Sequence, residues 1–256
     1  MTKLKVSIFG LSLLAISFIL YSCNKDDDST TVTPTTGAVS ILSTVQTKYK
    51  SMVTISTSGT SITLKSNGLP DHKTPYWGVG NALYEDFPAG HAPNVNTSMT
   101  AQNYVMTIPT NPSVATSHEA TVLGAIGMAL NGVAIYNDRE GGNIPLDAQT
   151  LTTLDYSGAH PAPGMVYHYH TTGRYVSEND SNLIGFLRDG FPIYGQKDAD
   201  GTYPANLDAY GGHTGVTTDF SDGIYHYHAS NVNYLNSGYY VLKAGSYYGT
   251  KGTFTQ

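Results

Sequence analysis

One cysteine, Cys23, stands among the 256 residues, and Asp, Glu, Lys and Arg together make up only 12% of them. A single thiol excludes both an intramolecular disulfide framework and a metal site built from several cysteines. With 13 basic and 19 acidic residues the formal net charge is −6, which argues against nucleic acid as a partner. The sequence also lacks a P-loop, a dinucleotide-binding fingerprint, a Gly-X-Ser-X-Gly elbow and a paired catalytic carboxylate signature. These absences argue against nucleotide-dependent chemistry and serine hydrolysis.

Residues 1–22 have the parts of a secretory signal peptide. Lys3 and Lys5 precede an apolar run over residues 6–20, which is too short for a stop-transfer helix. The run ends in Leu-Tyr-Ser-Cys at 20–23, which resembles the lipobox of bacterial lipoproteins, so we expect Cys23 to be acylated and to become the mature N-terminus. A free or intermolecularly paired thiol is the alternative. Loss of the two lysines would take the net charge from −6 to −8.

Residues 23–37 are expected to form a disordered tether. Asn-Lys-Asp-Asp-Asp at 24–28 is followed by a stretch of Ser, Thr and Pro with too little apolar surface to fold. Lys-Asp-Asp-Asp after the cysteine resembles the surface-export signal of bacterial lipoproteins. We therefore expect lipid anchoring to the outer membrane with the domain exposed at the cell surface, retention in the periplasm being the alternative.

Residues 38–256 have the pattern of one β-rich domain. Residues 52–56 and 61–65 partly alternate apolar and polar side chains around Ser-Gly-Thr at 58–60, which predicts a β-hairpin, and residues 104–109 predict another strand. Helical periodicity is nearly absent. The fold class is therefore all-β or mostly β, arranged as a sandwich or a barrel.

The C-terminal half repeats itself. The segments Ile-Gly at 126–127 and Asn-Gly-Val-Ala-Ile-Tyr at 131–136 match the segments at 184–185 and 189–194 with one constant offset. The tetrapeptide Tyr-His-Tyr-His at 167–170 recurs at 225–228 with the same offset, and residues 154–160 resemble 207–213 with a slightly shorter one. We infer an internal duplication with repeats at about 125–172 and 183–230. Each repeat would have a strand beginning near Asn131 or Asp189 and a returning strand with the tetrapeptide, and the two would pack about an approximate two-fold axis.

The tetrapeptides carry the candidate metal ligands. Side chains alternate along a strand, so His168 and His170 share one face, as do His226 and His228, with the tyrosines opposite. If the two returning strands face each other or pair, four imidazoles converge. Such a cluster suits zinc, copper, nickel or iron, and we favour zinc or copper. The alternative is that these histidines only hydrogen-bond to backbone groups or tyrosines.

Other residues are candidates for the same site. His160 and His213 occupy matched positions upstream of the tetrapeptides, and His72 lies beside Asp71, which could orient its ring. Asp155 and Asp208 are candidate hard ligands or hydrogen-bond partners behind the ligands, although a turn-forming role is the alternative. Tyr167 and Tyr225 are candidate hydrogen-bond donors behind the site. His91 and His118 have no predicted role.

These motifs resemble the bacterial YHYH protein family. The resemblance includes Asn-Gly-Leu-Pro-Asp-His at 67–72, residues 129–136 and residues 185–194, and it covers roughly residues 60–245. Many members have cysteines and an acidic segment before the motif, and this chain has Leu-Asp-Tyr-Ser-Gly and Leu-Asp-Ala-Tyr-Gly there instead. The resemblance implies a shared domain in which the histidines matter, and it implies no particular reaction.

Three functions fit the sequence. The first is a metal-binding domain of the cell envelope that buffers or acquires metal or is a metalloenzyme, with His72, Asp71, Asp155 or Asp208 as acid or base. The second is a surface module in which some of the 20 tyrosines stack on glycans or peptides. The third is an adhesion or structural role in which the tetrapeptide belongs to the core.

Overall fold

Short strands joined by turns make up most of the structure, as expected from a chain with 27 glycines and little helical periodicity. The computed structural model describes residues 38–176, 180–242 and 245–256, all within one compact unit. Cys23, the expected signal peptide and the expected tether lie outside the described residues. No helix among the described residues is long and apolar enough to cross a membrane.

The helices and strands follow in chain order. The α-helices are α1 (Leu42–Lys48) and α2 (Ala148–Leu151), and short 3-10 turns occur at Pro75–Trp77, Gly141–Asn143 and Tyr234–Asn236. The strands are β1 (Thr54–Ser58), β2 (Ser61–Ser66), β3 (Tyr104–Pro109), β4 (Gly127–Ala129), β5 (Ala134–Ile135), β6 (Arg139–Glu140), β7 (Ile144–Pro145), β8 (Ala159–Ala162), β9 (Val166–Tyr169), β10 (Thr171–Thr172), β11 (Leu183–Leu187), β12 (Pro192–Tyr194), β13 (Gly212–Thr217), β14 (Phe220–His228), β15 (Tyr240–Val241) and β16 (Thr253–Thr255).

The N-terminal strands form a four-stranded sheet in the order β1-β2-β3-β16. The predicted hairpin is confirmed, although its first strand begins later than expected, and the strand at 104–109 is confirmed with the same bounds. Alternate residues of β2 and β3 are buried, which is the period of a sheet with one covered face. Helix α1 was not predicted. Its register is set by Ile41, Val45 and Tyr49, which are buried at helical spacing.

The repeat residues build an eight-stranded sheet in the order β13-β14-β12-β11-β4-β5-β9-β8. In the repeat, β13, β14, β12 and β11 correspond to β8, β9, β5 and β4. The strand order is therefore the same when it is read from either edge of the sheet. The central strands β4 and β11 are antiparallel, with Phe186 opposite Met128 and with Gly185 and Leu187 opposite Ala129 and Gly127. The approximate two-fold axis therefore passes through the pair formed by Met128 and Phe186.

Two glycines allow the central strands to approach. A Cβ atom on Gly185 would lie 2.2 Å from the Met128 carbonyl oxygen, and one on its repeat partner Gly127 would lie 2.6 Å from the Phe186 carbonyl oxygen. Such contacts are too short for any side chain, so both positions require glycine. The two glycines at matched positions of the repeats thus allow the backbones of β4 and β11 to approach at the centre of the sheet.

The strands predicted near Asn131 and Asp189 begin three residues further along, at Ala134 and Pro192. Asn131 and Asp189 do not start strands: they lie in tight turns that join β4 to β5 and β11 to β12, with Gly132 and Gly190 at φ 82° and 85°. The tetrapeptide strands β9 and β14 do not pair either, because β5, β4, β11 and β12 lie between them. The four tetrapeptide imidazoles therefore form two separate groups instead of one.

Both sheets contribute to one buried apolar cluster. Ile62, Leu64 and Met106 of the small sheet belong to the same cluster as Met128 and Phe186 at the centre of the large one. The mostly β fold class is confirmed, and no sheet of the described residues closes into a barrel. The large sheet fixes the position of each tetrapeptide through its parallel neighbour: β5 pairs with β9, and β12 pairs with β14.

Candidate metal centres

The first tetrapeptide presents its two histidines to the same side of β9. The Nε2 atoms of His168 and His170 are 2.8 Å apart, while the tyrosine side chains contact other residues on the opposite side. His160 of β8 lies directly across the ladder from His168. Glu140, at the end of β6, completes the group.

Distances within this first cluster are those of a ligand set around one point. Oε1 of Glu140 lies 2.8 Å from His160 Nε2 and 3.1 Å from His170 Nε2. Adjacent ligand atoms of a tetrahedral ion bound at 2.0–2.1 Å are about 3.3 Å apart. The three imidazoles are buried, and the Glu140 side chain is 30% exposed.

Hydrogen bonds at Nδ1 fix the tautomer of each ring in the first cluster. His168 Nδ1 donates to the Val166 carbonyl at 2.9 Å and His170 Nδ1 to the Asn137 carbonyl at 2.6 Å. The Thr153 hydroxyl donates to the Thr150 carbonyl, so it accepts from His160 Nδ1 at 2.6 Å. A neutral imidazole with hydrogen on Nδ1 has its lone pair on Nε2. All three lone pairs therefore point into the cluster.

The second cluster repeats the arrangement around Asp198. Oδ1 of Asp198 lies 3.0 Å from His213 Nε2, 3.6 Å from His226 Nε2 and 3.3 Å from His228 Nε2. The Nε2 atom of His213 is 3.1 Å from that of His226 and 3.2 Å from that of His228. The second set thus also has the dimensions of a tetrahedral ligand set.

The second cluster also repeats the Nδ1 contacts. His226 Nδ1 donates to the Ile224 carbonyl at 3.0 Å, and His228 Nδ1 donates to the Gly195 carbonyl at 2.8 Å. His213 Nδ1 donates to Oδ1 of Asn206 at 3.0 Å. In the repeat, the positions of these acceptors are equivalent to the positions of the acceptors in the first cluster. The duplication therefore includes the groups that orient the ligands.

Electrostatics keep most of these imidazoles neutral. Burial lowers the pKa of His168 well below its usual range and lowers the pKa of His160 and His228. Burial lowers the pKa of His226 to about 4. Burial alone would raise the pKa of Glu140, but its contacts with His160 and His170 lower that pKa well below the usual range. Neutral imidazoles beside an ionised carboxylate are the protonation states that bind metal.

Two buried atoms of the first cluster lack a hydrogen-bond partner. Oε1 of Glu140 and Nε2 of His160 lie 2.8 Å apart, and neither atom has a hydrogen-bond partner when His160 carries its hydrogen on Nδ1. A buried acceptor without a donor is costly, and a cation at the centre of the cluster would satisfy both atoms. The donor set of three imidazoles and one carboxylate fits a divalent transition-metal ion in each of the two groups found among the described residues.

The first tyrosine of each tetrapeptide makes its contacts on the reverse side of the strand. Tyr167 donates to Asp155 at 2.6 Å, and Tyr225 donates to Asp208 at 3.0 Å. Both aspartates also accept backbone N–H groups two and four positions ahead, as turn-forming aspartates do. They therefore lie away from the ligand atoms, and they hold the tetrapeptide strands through the tyrosines. Burial raises the pKa of Asp155 to about 6.

His72 belongs to neither cluster. Its Nδ1 donates to the Lys73 carbonyl at 2.8 Å, and its Nε2 accepts from the Tyr169 hydroxyl at 2.7 Å. Asp71 does not orient this ring: its carboxylate contacts Lys50 and Asn131. The structure thus separates His72 and Asp71 from the other candidate ligands.

Glu140 and Asp198 were missed by sequence reasoning. Each carboxylate follows a basic residue four positions after the repeated Tyr136 or Tyr194, but neither is close to a histidine along the chain. The sequence nevertheless indicates that the two residues are equivalent, because Glu140 and Asp198 are separated by the same offset as the two tetrapeptides. A search for chemically similar side chains at that offset would have identified both residues.

Comparisons with known proteins bear on these motifs. Residues 105–205 match the family model described as YHYH protein. The match includes all four residues of the first cluster and Asp198 of the second, and it ends before His213. No curated protein and no solved structure matches the chain. The suspected family is thereby confirmed: the chain carries a YHYH domain, matched over residues 105–205.

Proposed function

We propose that this domain binds two divalent transition-metal ions, one at each cluster of three histidines and one carboxylate. The contact between His168 and His170 carries the proposal. Both rings donate from Nδ1, so two lone pairs meet at 2.8 Å, a repulsive contact unless a cation lies beside them. Burial lowers the pKa of His168, which disfavours a proton as that cation. A metal ion removes the repulsion.

The arrangement favours holding the ion over exposing it to a substrate. Three imidazoles and a carboxylate fill the four positions of a tetrahedral ion, whereas catalytic zinc sites keep one position open for water. The relative exposure of His160, His168 and His170 is 2% or less. We therefore propose storage, acquisition or structural use of the metal in preference to catalysis, with zinc or copper as the ion because the donors are imidazole nitrogens without thiolate.

Metal content tests the proposal. The metal-free chain would be refolded with zinc or with copper, freed of excess ion and measured by plasma mass spectrometry. We expect two ions per chain for the unmodified domain, one for His170→Ala or His228→Ala, and none for the double variant, because each substitution removes one ligand from one cluster.

His91→Ala is the matched control, since His91 contacts the Leu154 carbonyl outside both clusters. It should retain both ions. Circular dichroism would establish that every variant is folded. Folded wild-type protein with no more metal than the double variant would refute the proposal.

We propose in addition that the domain works in the bacterial cell envelope, attached by a lipid on Cys23. The basic start, the apolar run at 6–20 and the lipobox-like sequence at 20–23 support this location. Mass spectrometry of the N-terminal peptide from bacterial membranes should find an acylated Cys23, and Cys23→Ser should abolish the modification. A mature terminus at another residue would contradict the anchor.

A further inference from the structure

A cavity lies on the reverse side of the first tetrapeptide, away from the metal centre. Its volume is about 490 Å³, within the range of small-molecule sites in proteins. The residues that line it include Lys50, Asp71, His72, Lys73, Tyr175 and Asn182. Leu83, Val176 and Leu183 supply an apolar part of the wall. The cavity thus combines charged groups, an aromatic ring and apolar surface.

A chain of hydrogen bonds fixes the polar side chains of this cavity. The Tyr169 hydroxyl donates to His72 Nε2 at 2.7 Å and accepts from Asn131 Nδ2 at 2.9 Å. Asn131 Nδ2 also donates to Asp71 at 3.1 Å, and Lys50 donates to the other oxygen of Asp71 at 2.6 Å. Three of the segments that resemble the YHYH family, at 67–72, 129–136 and 167–170, therefore contact one another at this cavity. Binding of metal by the histidine clusters does not explain these contacts.

Tyr175 adds a strained residue to the cavity wall. Its φ is 72°, in the left-handed region that large side chains seldom occupy, and its ring stacks on His72 at 4.9 Å with an interplanar angle of 13°. Backbone strain of this kind occurs preferentially at ligand sites, where the surrounding structure maintains it. The strained backbone places an aromatic ring at the cavity wall.

The residues at the matching positions of the second repeat make different hydrogen bonds. Tyr227, the counterpart of Tyr169, donates to the buried Asp189, the counterpart of Asn131. The backbone N–H groups of Tyr248 and Gly249 close over this pair by donating to Tyr227 and Asp189. The pair in the second repeat is thus part of the core, whereas the pair in the first repeat adjoins a cavity.

Charge indicates what enters the cavity. Asp71 is neutralised by Lys50, and Lys73 is an exposed lysine with no ion pair among the described residues. Lys73 is thus the unpaired charge of the cavity in a chain with only 13 basic residues, and an unpaired lysine favours an anionic ligand. The oxygens of Asp71 and the amide of Asn182 can in addition bind hydroxyl groups.

We propose that this cavity binds a sugar acid, a small polyhydroxylated molecule with one carboxylate. Lys73 binds the carboxylate, Asp71 and Asn182 bind hydroxyl groups, and Tyr175 with the leucines contacts the apolar face of the ring. The proposal does not depend on metal, since the first histidine cluster lies on the other side of β9 and the second lies at β13 and β14, in the other half of the sheet.

Calorimetric titration with D-glucuronate and with D-glucose tests the proposal, because the two sugars differ in the carboxylate. We expect saturable binding of glucuronate and binding of glucose at least about tenfold weaker. Lys73→Gln should weaken glucuronate binding by about tenfold, and Lys65→Gln, at an exposed lysine of β2 outside the cavity, should leave it unchanged.

Tyr175→Gly provides a second variant, because glycine tolerates the positive φ and removes the ring without strain. It should fold and lose affinity. Absence of glucuronate binding, equal binding of glucose, or glucuronate binding that persists unchanged in Lys73→Gln, as a carboxylate bound to a metal centre would, overturns the proposal.

Discussion

Removal of metal by a chelator is expected to lower the free energy of unfolding by about 4 kcal/mol for each occupied cluster, when free ion had been present at about 1,000 times its dissociation constant. For a domain of this size each cluster then corresponds to roughly 10 °C in melting temperature. The loss follows because an ion that binds only the folded chain stabilises it. The metal-free clusters also leave Glu140 and His160 with unsatisfied buried atoms.

Calorimetry of wild type and variants with and without chelator measures this effect. The double variant His170→Ala, His228→Ala should melt at the same temperature in both conditions, and each single variant should retain about half of the wild-type response. His91→Ala should respond like wild type. If wild type melts at one temperature regardless of chelator, the histidines belong only to the core and the metal proposal fails.

The face that each histidine occupies could be predicted from the sequence. Side chains alternate along any strand, so two histidines at positions i and i+2 share a face whatever the rest of the fold. His168 with His170, and His226 with His228, follow this rule. The repeat offset likewise anticipated that His160 and His213 would occupy equivalent places, because both lie across the ladder from the first histidine of their tetrapeptide.

The number of centres could not be predicted in this way. Whether β9 and β14 are neighbours depends on the order of strands in the sheet, which is set by non-local pairing that alternation does not encode. The contact of β4 with β11 at the two-fold axis places the tetrapeptides in opposite halves of the sheet. Each half then completes its own cluster with a carboxylate from outside the tetrapeptide, Glu140 or Asp198.

The roles of His72 and Asp71 could not be predicted from the sequence either. Adjacent residues suggested a carboxylate that orients a ring, but the two side chains contact different partners in the structure. Asp71 instead contacts Lys50 and Asn131, both distant in sequence, and His72 contacts Tyr169. Local spacing identified the residues as unusual, and only the tertiary structure shows that they line a cavity.

Acid is expected to destabilise the metal-free domain strongly. Burial lowers the folded-state pKa of His160, His168, His226 and His228 below the value of about 6.5 in the unfolded chain. The unfolded state therefore binds more protons in this range, so the stabilisation is fully present above pH 6.5 and is lost as the pH falls towards about 4, the folded pKa of His226.

The buried carboxyls of Asp155 and Asp189 titrate in the opposite sense, because burial raises their pKa, to about 6 for Asp155. They oppose the acid effect over the same range of pH, and we expect the four histidines to outweigh the two aspartates. Urea unfolding with chelator at pH 7 and pH 5 measures the balance. A metal-free domain that is as stable at pH 5 as at pH 7 would contradict the prediction that the histidines dominate this balance. With metal, protons compete for the same Nε2 atoms, so bound ion should be released over the same range of pH.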